Sequence, residues 1–352
     1  MSDLEFTPNE PSKDSSSAIE LGAPELASET WETLTGAPGL ASETRETHTG
    51  APGPSPLGTG ESSSASAIDE PPIFTYAQPI PPPPSRIPHL GHLALLLAFL
   101  LFGFLCMGVS MGIGLLVHFE GVTNLDQIKN HLTYLLGSEA ILYLVTFALS
   151  FFIFPLFWQK SFFAGIHWRG RAALHSSWLL AVIAGGCFML ALLVEALTSN
   201  QKHAPIEDLF RTPSAAWTMF FFGVTLAPFF EEIAFRGFLL PSLATAWDWL
   251  IEKSTGKARL PLDENGHPQW SVAAMVIAAI PTSLLFALVH VDQQGRTLGP
   301  FLLLITVSLI LCAVRLKLRS VAASTLVHSC YNFLIFSTML IGTGGFQHLD
   351  KM

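Results

Sequence analysis

The hydrophobic pattern divides the chain into a polar N-terminal stretch and a longer, strongly apolar remainder. A helix needs about 20 apolar residues to cross a hydrocarbon core of about 30 Å. Seven segments satisfy this length, at 90–117, 132–158, 176–198, 213–242, 271–291, 298–314 and 320–342. The predicted fold class is therefore all-α: a polytopic membrane helix bundle of about seven transmembrane helices, within a range of six to eight.

The first 88 residues have the composition of a disordered tail. Gly22–Thr35 and Gly36–Thr49 repeat the pattern GAPxLASETxETxT, and a further copy begins at Gly50. Such a segment buries too little apolar surface to offset the entropy that is lost on ordering. We therefore predict three parts: a disordered acidic tail at 1–88, a transmembrane helical domain at 89–342 whose motif-bearing core covers about 160–340, and a short C-terminal tail at 343–352.

Composition and charge narrow the class of protein. Half of all residues are hydrophobic, 13% are charged, and the net charge is −9. The charge belongs to the tail, because residues 1–88 contain 13 acidic and 3 basic residues whereas the remainder contains 14 and 15. This distribution indicates an integral, multi-pass membrane protein whose surroundings are the lipid bilayer, and it argues against nucleic acid as a partner.

The positions of basic residues predict the orientation in the membrane. The connections after the second, fourth and sixth segments contain nine Lys and Arg, and those on the opposite face contain five. Cytoplasmic loops carry the excess of Lys and Arg in membrane proteins. We therefore expect the N-terminal tail to be cytoplasmic.

Three of the apolar segments contain polar side chains at positions where hydrocarbon tolerates them poorly. They are Glu231, Glu232 and Arg236 in the fourth segment, His290 in the fifth, and His328 and Asn332 in the seventh. A charge at the bilayer centre costs about 2.5 to 3.5 kcal/mol, so such residues usually face one another or a water-filled cavity. The three segments are predicted to converge on one buried site.

Helical spacing assigns different surroundings to the two neighbouring glutamates. Glu232 and Arg236 are four residues apart and share a helix face, whereas Glu231 points about 100° away. A structural ion pair accounts for Glu232 and Arg236 but leaves Glu231 unpaired. His290, predicted to stack on Phe286 one turn earlier, lies near the end of its segment, while Glu231 lies near the middle of its own. Either the fifth helix is displaced or tilted, or the predicted boundaries are wrong.

The three motifs together resemble a known family. EExxxR at 231–236, followed by FRG at Phe235–Gly237, FxxxH at 286–290 and HxxxN at 328–332 are similar to the CPBP family of intramembrane proteases, which includes CAAX prenyl endopeptidases and bacteriocin-processing or immunity proteins. The resemblance covers roughly residues 160–340. It implies an intramembrane endopeptidase that hydrolyses peptide bonds of membrane-associated or prenylated protein substrates.

The resemblance also implies roles for individual residues. Glu231 would activate a water, His290 would share or orient that water, and His328 with Asn332 would stabilise the oxyanion. Glu232, Arg236 and Phe286 would support them. Water activation and oxyanion stabilisation are what amide hydrolysis requires, and these residue types can supply both.

A metal ion is the main alternative for the chemistry. Glu231, His290 and His328 provide the ligand types of many catalytic zinc sites, and the family is commonly described as metalloproteases. The sequence has no HExxH, and these candidate ligands come from three separate segments. We prefer a mechanism that needs no cofactor, in which glutamate and water suffice; one divalent zinc is the alternative.

Two other classes of protein fit part of the pattern. An ion-coupled or proton-coupled transporter also needs intramembrane Glu, His and Arg, but the sequence lacks the expected inverted repeat. A non-proteolytic immunity or scaffold protein would keep the fold without turnover.

Glu139 and Glu195, the other acids inside apolar segments, are predicted to be helix–helix or interfacial contacts. The long polar connection Ala244–Gln269 is expected to lie on the membrane surface.

Overall fold

The computed structural model describes residues 86–128, 131–198, 212–263, 267–294 and 296–349. Within these ranges every regular element is helical, and seven helices are long and apolar enough to cross a membrane. The predicted all-α membrane fold is therefore confirmed. The predicted disorder of the tail concerns residues that lie, apart from 86–88, outside the described ranges.

The helices follow one another with short connections, some of which form single helical turns. In chain order they are α1 (Leu90–Leu116), α2 (Leu125–Ile128), α3 (Leu132–Trp158), α4 (Phe162–Gly165), α5 (Gly170–His175), α6 (Ser177–Thr198), α7 (Pro213–Thr255), α8 (Val272–Val289), α9 (Leu298–Leu318) and α10 (Val321–Gly342). A short 3₁₀ turn at Phe119–Gly121 follows α1.

The long helices pack through two main apolar clusters. One joins α6, α9 and α10, with Leu180, Leu311 and Val327 at its centre. The other joins α1 and α3 to α7 and contains Phe154 and Phe238. Large apolar side chains on the outer faces remain exposed, as expected of helices surrounded by lipid.

The fourth span is much longer than predicted. The expected end was residue 242, with a polar connection from Ala244, but α7 continues to Thr255 and ends at Gly256, whose φ is +68°. The additional turns are amphipathic, so they extend the helix without requiring an apolar surface on every side. The predicted interfacial segment is therefore the last part of a spanning helix.

The longer α7 explains how Glu231, near the middle of its helix, lies beside His290, at the end of the next one. At one end of α8, the backbone N–H and the hydroxyl of Ser271 both donate to the Asp248 carboxylate, at 2.9 and 2.6 Å. At the other end, His290 caps α8 and faces Glu231. Helix α8 is therefore antiparallel to the second half of α7, and the end of one helix lies beside the middle of the other.

Two π-helical segments interrupt α7 on either side of the glutamates. They are Phe222–Leu226 and Ile233–Leu239, separated by the α-helical turn Ala227–Glu232. In the first, the N–H of Ala227 bonds to the carbonyl of Phe222, and Pro228 has no N–H to offer. The carbonyl of Gly223 therefore lacks its usual helical donors, and the Asn332 amide of α10 donates to it at 2.7 Å.

The second segment repeats the arrangement. The N–H of Leu240 bonds to the carbonyl of Phe235, and Pro241 again supplies no donor, so the carbonyl of Arg236 is freed. Arg315 of α9 donates to that carbonyl from Nε at 3.2 Å. Two prolines thus free two carbonyl groups, and side chains of two other helices bind them.

Candidate functional site

Glu231 lies between two histidine rings contributed by different helices. Its Oε1 is 3.7 Å from Nε2 of His290, and its Oε2 is 3.9 Å from Nε2 of His328. All three side chains are mostly buried, and they come from α7, the end of α8 and α10 respectively. The structure thus brings together the three segments that the sequence predicted to converge.

Glu232 is engaged in a different way from its neighbour. Its Oε1 accepts from Nη1 of Arg236 at 2.8 Å, and both side chains are fully buried. Nη2 of Arg236 also donates to the carbonyl and the hydroxyl of Ser308, at 3.1 and 2.7 Å. The predicted i, i+4 pair is therefore present and bonded to α9, and Glu231 is the carboxylate that lies between the two histidine Nε2 atoms.

Hydrogen-bond partners define how the two imidazoles are oriented. Nδ1 of His290 is 2.7 Å from the carbonyl oxygen of Phe286, which can only accept, so Nδ1 carries the hydrogen. Nδ1 of His328 lies 3.1 Å from Oε1 of Glu232, a carboxylate oxygen that also accepts. Both rings consequently direct Nε2 toward Glu231.

The aromatic ring of Phe286 separates the charged groups of the site. The guanidinium of Arg236 lies over the ring at 4.7 Å, and the ring centroid is 4.7 Å from that of His290 and 5.8 Å from that of His328. A cation over an aromatic face is attracted to it, most strongly away from water. Phe286 therefore fixes the spacing of the two histidines, and the predicted stacking below His290 is a tilted contact.

Asn332 contacts the site through the backbone of α7. It lies one turn after His328 on α10, and one of its two amide hydrogens is used by the Gly223 carbonyl. The other hydrogen remains for a further acceptor. The oxyanion role implied for Asn332 stays a prediction, and its contact in the structure is with the first π-helical segment.

Two residues beside the site were not predicted as part of it. Glu139, the only charged residue of α3, accepts from the Tyr143 hydroxyl at 2.8 Å. The Tyr143 ring packs on Phe230, the residue before Glu231, with centroids 4.9 Å apart. Glu139 also interacts electrostatically with Glu231 and His290. The sequence signal that could have identified Glu139 is a single acid in an apolar segment, with Tyr143 four residues later.

The sequence predicted a different location for Arg315 from the one that the structure shows. It was counted among the cytoplasmic loop residues, but it lies inside α9, fully buried, with Nη2 3.1 Å from Nδ1 of His167. Burial, followed by the charge of Arg315, lowers the pKa of His167 to about 3, so that ring is neutral and accepts from the guanidinium. Through Nε, which donates to the carbonyl of Arg236, Arg315 links α7 to His167.

The three candidate metal ligands Glu231, His290 and His328 lie close together, with Glu231 3.7 and 3.9 Å from the two Nε2 atoms. Among the residues that the structure describes, no group of three or more His, Cys, Asp or Glu is arranged to hold a metal ion.

Comparison with known proteins identifies the motif-bearing part of the chain. Residues 213–334 match the family described as Rce1-like, type II CAAX prenyl endopeptidase Rce1-like. No curated protein and no solved structure matches the chain. The matched region begins at the first residue of α7 and ends two residues after Asn332, so it contains all three motifs. The match supports, for this part of the chain, the resemblance to CAAX proteases that the motifs indicated.

Proposed function

We propose that the protein is an intramembrane endopeptidase that hydrolyses peptide bonds of membrane-associated or prenylated substrates, with Glu231 as the base. The observation that carries this proposal is the position of one carboxylate between two imidazole Nε2 atoms, at 3.7 and 3.9 Å. The family match over residues 213–334 supports protease activity in general. The specific residues and the substrate class are our inference.

The first step is the activation of a water molecule. The 3.7 Å separation between Oε1 of Glu231 and Nε2 of His290 is too long for a good direct hydrogen bond. Both atoms are acceptors when His290 is neutral, because its hydrogen is on Nδ1. A water between them donates one hydrogen to each, and its oxygen lone pair is directed at the substrate carbonyl.

In the second step, the water attacks the substrate carbonyl, and the tetrahedral intermediate then breaks down. The water oxygen bonds to the carbonyl carbon while Glu231 takes a proton, and an oxyanion forms. His328 donates to that oxyanion from Nε2, while Glu232 accepts from Nδ1 and orients the ring. The C–N bond then breaks, and Glu231 returns the proton to the leaving amine.

The surroundings of Glu232 explain why the adjacent acid does not serve as the base. Its Oε1 already accepts from Arg236 and His328, and the side chain has no exposed surface. Two donors therefore already occupy this oxygen, which is not free to accept a proton from water. The Glu231 side chain is 15% exposed, and its Oε1 lies 3.7 Å from Nε2 of His290.

The direct test is hydrolysis by the purified protein in lipid vesicles. A farnesylated peptide that ends in Cys, two aliphatic residues and a final residue is compared with its unprenylated counterpart, and the products are identified by mass spectrometry. We expect cleavage of the farnesylated peptide. Absence of cleavage, together with ion uptake into the same vesicles that persists in Glu231→Ala, would instead support a transporter.

The same assay decides between the glutamate mechanism and a metal. We expect cleavage to persist in EDTA. Activity that is lost in EDTA and restored by added zinc would replace the proposed mechanism with a metal-dependent one.

A smaller effect is expected at Glu139. Glu139→Gln weakens the hydrogen bond that holds Tyr143 against Phe230, so the turn carrying Glu231 loses a support. Since small displacements of a catalytic group cost up to about 100-fold, we expect a loss of about tenfold in kcat. Glu195→Gln, which changes the only acid of α6 and an exposed side chain, serves as the matched control. Equal rates for both variants would contradict this role of Glu139.

A further inference from the structure

One face of α3 packs against the turn of α7 that carries Glu231. Tyr143 and Phe147, four residues apart on α3, both pack on Phe230, with ring centroids 4.9 and 5.7 Å from that of Phe230. Glu139 lies one turn before Tyr143 on the same face of α3, and it accepts from the Tyr143 hydroxyl at 2.8 Å. This carboxylate is therefore held on the side of α3 that faces the glutamates of α7.

Helix α3 runs parallel to α7, which determines the level of Glu139. Toward the start of both helices, Leu136 shares an apolar cluster with Phe220. Further along both helices, Phe154 packs on Phe238, with centroids 4.7 Å apart. Glu139 follows Leu136 by less than one helical turn. It therefore lies beside the first π-helical segment of α7, just ahead of the turn with the two glutamates.

Glu139 lies on the side of Glu231 where His290 is found. Its charge interacts with those of Glu231 and His290, and the surroundings of His290 include Glu139 in turn. His328 approaches the other oxygen of Glu231, Oε2. The Glu139 side chain is partly exposed, and an acid within an apolar span faces a partner or a water-filled space. Glu139 thus borders the space between Glu231 and His290.

The proposed hydrolysis forms a positive charge on this same side. The water lies between Oε1 of Glu231 and Nε2 of His290, so Oε1 takes its proton and passes it to the amide nitrogen. The second proton on that nitrogen comes from the new carboxylic acid, and the products are a carboxylate and an ammonium ion. A cation at this depth is costly without an anion beside it.

We propose that the Glu139 carboxylate binds the leaving amine and stabilises the ammonium ion. Because each carboxylate oxygen can accept more than one hydrogen bond, the contact with Tyr143 leaves capacity for an amine N–H. Three groups then act on three parts of the intermediate: Glu231 on the water, His328 on the oxyanion and Glu139 on the nitrogen. This role rests on the proposed hydrolysis, and it names the part of the substrate that Glu139 recognises.

Comparison of an amide with an ester separates this role from a merely structural one. In a second farnesylated substrate, oxygen replaces the scissile N–H, so the leaving group is an alcohol that stays uncharged. Glu139→Gln keeps the size of the side chain but removes its charge. We expect it to lower kcat about tenfold for the amide and only about threefold for the ester, since loss of support affects both and loss of charge only the first.

Two control variants define the reference for this comparison. Tyr143→Phe removes the hydroxyl that supports Glu139 but keeps the carboxylate, so it should slow the amide and the ester by the same factor. Glu195→Gln changes an exposed acid of α6 and should leave both rates unchanged. Glu139→Leu removes the charge with a side chain that suits an apolar span, so it should reproduce the difference between amide and ester.

Inhibition by the released tripeptide measures the contact without turnover of an ester. The tripeptide with a free amine is compared with its N-acetylated form as an inhibitor of the farnesylated peptide. In Glu139→Gln, the inhibition constant of the free amine should rise about threefold, as expected for a partly exposed charge pair, and that of the acetylated form should not change.

The outcomes distinguish this role from the proposed function. Equal slowing of amide and ester by Glu139→Gln and Glu139→Leu, or an unchanged inhibition constant for the free amine, would overturn the role of Glu139 and leave hydrolysis by Glu231 intact. Cleavage of neither substrate by the unchanged protein would instead contradict the proposed hydrolysis itself. A thermal melt in detergent establishes that each variant is folded.

Discussion

Glu231→Gln should reduce kcat for peptide hydrolysis about a thousandfold, within the range of 10² to 10⁴ that general-base catalysis contributes. The amide has nearly the size and shape of the carboxylate but cannot accept the proton of the attacking water. The contacts of Glu232, Arg236 and Phe286 do not involve the Glu231 oxygens, so the fold should persist. Single-turnover cleavage of the farnesylated peptide in vesicles measures the effect.

Glu195→Gln is the matched control for this prediction, because it makes the same change of charge at an exposed position of α6. It should cleave at the unchanged rate. Unaltered binding of the peptide by Glu231→Gln would show that the loss lies in the chemical step. A Glu231→Gln variant that retains more than about a tenth of the activity would show that another group activates water.

Arg236→Met should lower the free energy of unfolding by about 3 to 5 kcal/mol, the usual cost of removing one partner of a buried ion pair. The Glu232 carboxylate would remain without exposed surface and without its guanidinium, and Ser308 would lose two hydrogen bonds. The methionine side chain has a similar length and can still pack on Phe286. Denaturant titration in detergent, followed by the helical signal, measures the change.

The double variant Glu232→Gln with Arg236→Met provides the internal comparison. Because it removes both charges, it should be more stable than Arg236→Met alone, which is the expected sign of coupling between paired groups. Arg296→Met disrupts an exposed pair with Asp292 and should leave unfolding unchanged. A single variant that unfolds like the unchanged protein would show that the buried pair does not hold α7 against α9.

Hydropathy was sufficient to predict most of the helices. The predicted span 132–158 agrees with α3, and those for α1, α6 and α10 differ by a single residue at one end. This success has a simple physical origin, because a bilayer requires both a minimum length and an apolar composition. The convergence on one site was also predictable, since polar side chains in hydrocarbon must find each other. The pairing of Glu232 with Arg236 followed from helical spacing alone.

Features that depend on contacts between distant segments were not predictable. The end of α7 was placed too early, because an amphipathic extension has no hydropathy signal of its own. Glu139 was interpreted as a packing contact, and its proximity to Glu231 became apparent only from the packing of Tyr143 on Phe230. The sequence placed Arg315 in a loop because the predicted sixth span ends at 314, whereas α9 extends to Leu318. In each case the surroundings are set by another helix.

The two proline positions of α7 have a consequence for how the protein matures. An unpaired carbonyl in lipid costs several kcal/mol, and the groups that satisfy Gly223 and Arg236 belong to α10 and α9, which are synthesised after α7. Helix α7 therefore reaches its final geometry only after the C-terminal pair has inserted beside it. A nascent chain therefore carries both glutamates before they are correctly placed, and the residues proposed to catalyse hydrolysis come together only once α9 and α10 have inserted.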